Sequence, residues 1–191
     1  LDGVRIITEN REVLGVIAQE NEREILIKTK EGPTAIKIPK SAILSQAALR
    51  IREADAYGPD EMVDRRLQSG SPEGPRLLEI GRFAVTLKLY ARAKELFTKA
   101  GAAEGTLKEE VETLLSQVDG LMANLEAANT LASIRKLTDE GKYDQAIAEA
   151  EKFLATYAET PTGQQNKELV AHLQKEKADW DKNRDEIIAR K

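Results

Sequence analysis

Apolar residues recur at alternating intervals of four and three at Leu107, Val111, Leu114, Val118, Leu121, Leu125, Ala128 and Ala132. A 3.5-residue period sets all eight along one seam of a helix, and that seam requires cover from another helix or from a second copy of the chain. The pattern predicts one long helix from near Thr106 to about Asp139, about 50 Å at 1.5 Å per residue, with Gly120 as its weak point.

Before residue 50 the period shortens to two. Val4–Thr8, Val13–Ala18, Ile25–Thr29 and Ala35–Ile38 are rich in β-branched residues and alternate apolar with polar, which predicts short strands. The polar joints between them, such as Glu9–Glu12 and Glu31–Thr34, are short enough to connect antiparallel neighbours. Ala42-Ile43-Leu44 adds a fifth strand after Pro39. So narrow and twisted a sheet is expected to curl into a small half-open barrel of the SH3- or Sm-like kind. Fewer than fifty residues make a marginal core, so the sheet is expected to lean on the first helices through Ala47, Ala48, Leu49 and Ile51.

From Gly58-Pro59-Asp60 onward the signals are helical. Met62, Val63 and Leu67 mark a short amphipathic helix that ends at Ser69-Gly70-Ser71-Pro72, and Pro75 opens the next. The expected organisation is α+β: a small antiparallel β module over residues 1–50, then a helical domain over 59–191. Within the latter lie a helical hairpin at 58–101, the long helix at 106–139, a helix at 142–158 and a charged C-terminal helix at 163–190.

Two stretches resemble tetratricopeptide repeats, helix-turn-helix units that stack through close helix crossings. Gly81, Tyr90, Ala93, Phe97 and Ala100 match the family's small residue, turn aromatic and following Ala, Phe and Ala, while Lys88 stands where the family usually has glycine. Gly141, Tyr143 and Ala146 repeat the turn, after which Ala150 and Phe153 reverse the large and small positions. The two turn tyrosines are 53 residues apart, against the ~34 of a contiguous array, so the long helix is expected to interrupt the stack. The β segment, through Asp2-Gly3, Gly15 and Ile38-Pro39-Lys40-Ser41, is similar to small modules that precede such repeats in bacterial envelope proteins. The resemblance implies a non-catalytic, periplasmic or otherwise exported protein, with a cytoplasmic one as the alternative. The chain begins at Leu1 rather than Met, for which removal of a leader is one explanation.

Composition narrows the function classes. The chain has 191 residues, is 41% hydrophobic and 32% charged, and carries a formal net charge of −4, which provides no overall field for nucleic acid or anionic lipid. It has no cysteine, so disulfides, thiolate nucleophiles and cysteine-ligated metals are excluded. No apolar run approaches the ~20 residues of a membrane span.

Motifs for catalysis are missing. The single histidine, His172, has no second imidazole or thiol with which to share a metal, and reads as helix surface. Asp181, Asn183 and Asp185 imitate the start of a calcium loop, but Glu186 replaces the required glycine. No phosphate-cradling glycine loop or serine–histidine constellation is present, so neither an enzymatic activity nor a cofactor is expected. Leu173, Trp180 and Ile187 recur at intervals of seven on the last helix and are the expected partner-binding residues. The expected function is that of a structural or adaptor protein acting through a protein partner or through self-association. The alternative is an Sm-like RNA binder, although residues 1–50 carry eight basic against seven acidic side chains and no aromatic on which a base could stack.

Overall fold

The computed structural model describes the backbone of residues 1–32, 34–71 and 73–189, and the side chains of that set up to Asn183. The chain divides into two compact units, Leu1–Leu115 and Ser116–Lys191. No described helix is long and apolar enough to cross a membrane.

The first unit opens with five strands: β1 (Asp2–Thr8), β2 (Glu12–Glu20), β3 (Glu24–Lys28), β4 (Ile36–Pro39) and β5 (Ile43–Arg50). They form one antiparallel sheet in the order β4-β3-β2-β1-β5. Period-two alternation places Val4, Ile6, Val13, Ile25, Ile27 and Ile38 together in one buried cluster. Contrary to the expected barrel, the sheet is open, because β4 and β5 are its two edges and do not pair. After Pro39 a turn of 3-10 helix at Lys40–Ala42 carries the chain away to β5, which pairs with β1 instead. This fifth strand is also longer than the expected three residues.

The joint between sheet and helices also differs from expectation. Ala47, Ala48 and Leu49 are exposed, and only Ile51 of that group is buried. It joins Ala56, Tyr57 and Met62, from α1 (Glu53–Ala56), the residue after it, and α2 (Pro59–Gln68). Leu14 and Val16 of β2 and Phe83 and Leu87 of the next helical hairpin pack against this cluster. Arg66 adds a guanidinium 3.5 Å over the Phe83 ring, and Lys28 of β3 meets Glu61 at 3.0 Å. Sheet and helices of this unit thus share apolar contacts, which relieves the shortage of core in so small a sheet.

That hairpin is α3 (Gly74–Thr86) and α4 (Tyr90–Ala103). Close approach requires the glycine at 81: a Cβ there would stand 2.5 Å from Cε1 of Phe97, a ring that is fully buried. After the 3-10 turn Gly105–Leu107 comes the long helix, α5 (Lys108–Asp139), and then α6 (Tyr143–Tyr157).

The turns before α4 and α6 are built alike. In the first, Lys88 takes φ +62° and donates its N–H to the Val85 carbonyl, while the Leu89 N–H reaches the Ala84 carbonyl. In the second, Gly141 takes φ +71° and donates to Thr138, while the Lys142 N–H reaches Leu137. Both are Schellman closures, with one left-handed residue following the helix. Counting from each tyrosine, Ile134 stands where Gly81 does and Ala150 where Phe97 does. The reversed large and small positions therefore exchange across the helix pair, with both Ile134 and Ala150 buried in one cluster.

The second unit adds α7 (Pro161–Gln165) and α8 (Leu169–Ala189) where one continuous C-terminal helix was expected. The break has local causes: Thr160 Oγ1 caps α7 by accepting from the Gly163 N–H at 3.0 Å, and the Asn166 side-chain amide donates to the Thr162 carbonyl at 2.8 Å. The core here is Ala127, Leu131, Ile134, Ala146, Ala150, Phe153 and Leu173.

The seam of α5 is buried only in its first part. Val111, Leu114 and Val118 are covered, but Leu121 and Leu125 are 41% and 46% exposed, and Ala128 and Ala132 also face solvent. Inward positions resume in a different phase at Ala127, Leu131 and Ile134. These are the positions that meet α6 and α8 residues in the second core.

A left-handed lysine is strained by about 1–2 kcal/mol relative to glycine, partly offset by glycine's greater chain entropy. Lys88→Gly is therefore expected to raise the unfolding free energy by about 1 kcal/mol, and Gly141→Ala to lower it by a similar amount, as read from urea titrations.

Candidate interaction surface

The side chains with chemistry are dispersed among the described residues. No group of three or more His, Asp and Glu side chains there could hold a metal ion. His172 is exposed and lies 3.2 Å from Glu176, one turn further along α8. The calcium-like stretch from Asp181 falls within α8, so its backbone is helical and cannot wrap a cation as a loop would.

Three carboxylate–cation contacts do perturb titration. Hydrogen bonds from the Arg52 guanidinium, at 3.0 and 2.9 Å, hold the Asp55 carboxyl below its ordinary value. The Lys142 ammonium does the same to Glu140, and a hydrogen bond to Asp181, seconded by Asp144, raises Lys177. The first two contacts lie at a helix start and at a turn, while Lys177 and Asp181 are one turn apart within α8.

Arg5, Lys28, Lys37, Lys40 and Arg50 in the β segment each face a carboxylate, at 3.7, 3.0, 2.8, 2.7 and 3.2 Å. Salt-bridged cations of this kind do not make a basic platform. At one end of the sheet an open groove of about 300 Å3 lies between Thr8, Asn10, Arg11, Lys37, Ser41 and Leu44. Sequence reasoning missed it, because residues 9–12 read only as a connection and Ala42-Ile43-Leu44 only as a short strand. Leu44, 66% exposed, sits at the irregular point where the β1–β5 register skips one residue.

The three residues expected to bind a partner fare differently. Leu173 is 3% exposed and belongs to the core with Phe153 and Ile134. The side chain of Ile187 lies outside the described residues. Trp180 is 40% exposed; its ring meets Tyr143 at 5.8 Å, tilted by 48°, and borders Gly141. One turn earlier Lys177 reaches Asp181 at 2.7 Å and Asp144 at 3.7 Å. Trp180 therefore clamps α8 onto the α5–α6 turn while leaving part of its indole open. Among the described residues of this unit the stripe Leu121, Leu125, Ala128 and Ala132 also faces outward.

Comparisons with protein-family models, with curated proteins and with solved structures return no match.

Two outcomes are expected. Trp180 is the chain's single tryptophan, so Tyr143→Ala should red-shift its fluorescence, and Trp180→Ala should destabilise the α8 attachment by about 1 kcal/mol with faster amide exchange across residues 169–183. For Asp55, whose folded-state value is depressed, the stabilising contact is intact at neutral pH and is lost as pH falls from the ordinary carboxylate range through that depressed value. A carboxyl NMR titration should show Arg52→Ala returning Asp55 toward the ordinary aspartate range.

Proposed function

We propose that this chain is a non-catalytic interaction protein in which tetratricopeptide-like helix pairs form a scaffold for a protein partner. The observation that supports this most is the recurrence of one construction at two places: a left-handed residue, a capping residue, then a tyrosine opening the next helix, with Ala93 and Ala146 fully buried at the same offset. Such tight turns hold paired helices at short range, which suits a rigid binding scaffold better than a mobile catalytic cleft. The dispersal of carboxylates into surface ion pairs points the same way. An exported location has the support only of the β segment's similarity to modules of envelope proteins.

Partner contact on this reading uses exposed side chains on the helix faces, with Trp180 contributing its open edge. The chain, tagged and purified from its native source, is expected to retain one protein partner in a fixed ratio. A chain that emerges alone from repeated low-salt purifications would count decisively against the scaffold reading.

A further inference from the structure

We propose that the free backbone edge of β5 pairs with the same edge of a second copy of this chain, antiparallel about a two-fold axis at Ala47. This inference rests on the interaction-protein reading above and names the partner for one of its surfaces.

What the edge offers is a row of backbone groups. Leu1 and Ile51 exchange two hydrogen bonds, at 2.9 and 3.0 Å. In an antiparallel ladder bonded pairs alternate, so the next ones are Gly3 with Leu49, Arg5 with Ala47 and Ile7 with Ser45. The even positions of β1 turn the other way, as the Thr8 N–H does in reaching the Arg11 carbonyl. Gln46, Ala48 and Arg50 therefore direct their N–H and C=O groups away from β1, on a side where no described strand pairs. Only another extended backbone matches such a row at its fixed spacing.

The two edges of the sheet differ in how they are guarded. β4 is four residues long and contains Lys37 and Pro39, features that keep an edge from pairing. β5 runs for eight residues without proline, and residues 43–49 carry no charge in a chain that is 32% charged. From Leu44 to Arg50 every side chain is exposed, so both faces are clear for a strand to align.

Specificity identifies the occupant. Foreign peptides added to a sheet edge are selected by pockets that flank it. Of the β5 residues only Leu44 lines the groove described above, and Ser45, Ala47 and Ala48 are too short to wall a pocket. Recognition then falls to register, which a second copy supplies. With the axis at Ala47, Gln46 meets Ala48 of the copy and Ala48 meets its Gln46, each pair exchanging two hydrogen bonds. Leu49 lies opposite the small Ser45, and Arg50 opposite the uncharged Leu44, so no like charges face each other. An axis midway between two residues would set outward groups against inward ones and leave both unpaired. The shared edge is about 26 Å long, and one strand pair falls short of the ~800 Å2 per partner of a standard stable interface. The dimer is accordingly reversible and concentration-dependent.

The test uses the purified full-length chain. Sedimentation velocity from about 10 μM to about 1 mM should show a dimer fraction that grows with concentration. Over that range amide exchange should slow at Gln46, Ala48 and Arg50 and stay constant at Ala47 and Leu49, whose N–H groups β1 already holds. Ala48→Pro removes an N–H that the β1 ladder does not use, and should weaken association at least tenfold with unchanged circular dichroism. The native sequence has no cysteine, so disulfide trapping is free of background and does not depend on proline being tolerated. Ala47→Cys should cross-link to itself, because the axis brings its two Cα atoms to about 4.5 Å. Ser45→Cys should cross-link poorly alone and readily with Leu49→Cys. A monomer at every concentration, protection that ignores the alternation, or Ser45→Cys homodimers exceeding those of Ala47→Cys would each overturn the proposal. A native-source partner retained by a purified chain that stays monomeric would refute self-pairing while sparing the scaffold reading.

Discussion

Two helical pairs in this protein, α3 with α4 and α5 with α6, depend on a turn in which a single residue leaves the right-handed half of backbone space. At residue 141 that residue is glycine; at residue 88 it is lysine, and the backbone takes nearly the same angle. Two hydrogen bonds close each turn by satisfying carbonyls that the ending helix leaves open. The following helix can then start at once and run back along its predecessor. Buried small residues complete the device, with Gly81 admitting the Phe97 ring and Ala150 filling the corresponding place across from Ile134. The strained lysine persists because the packed helices on both sides over-determine the turn.

Helix α5 shows how a hydrophobic repeat and a tertiary fold can part company. Its 3.5-residue pattern describes one unbroken seam, yet its inward positions change phase between Val118 and Ala127. A straight helix has 3.6 residues per turn, so even a perfect seam drifts round its surface by about 20° per heptad. The larger change here follows from which neighbours are at hand: α6 and α8 present Ala146, Ala150, Phe153 and Leu173, and the side of α5 that meets them carries Ala127, Leu131 and Ile134. The repeat is left facing water over the stretch where those neighbours take a different side.

Charge on this protein is organised pairwise. Lys28 with Glu61, Arg92 with Asp64 and Arg82 with Glu110 each join two elements of the first unit that are not neighbours in the chain, at 2.6–3.0 Å. The two exposed pairs, Arg92 with Asp64 and Arg82 with Glu110, contribute little stability individually. Within each pair the two charges largely cancel, whereas the α5 stripe and Trp180 present apolar and aromatic surface to solvent. The open sheet adds a second kind of surface, since a barrel would have hidden the edges that β4 and β5 present.

Local patterns determined much of what the chain becomes. Period-two alternation fixed the first four strands, glycine and proline marked the helix ends, and the Tyr90 and Tyr143 turns were visible as a repeated word. These features are legible because they arise from contacts within a few residues along the chain. Openness of the sheet, the length of β5 and the burial of Leu173 rather than Leu125 were decided by tertiary structure. In each, the deciding energy comes from residues distant in sequence: whether β4 or β1 meets β5, and whether α6 and α8 cover one side of α5 or another. Periodicity tells a helix that it has an apolar side, but only the neighbours that fold against it settle which side goes in.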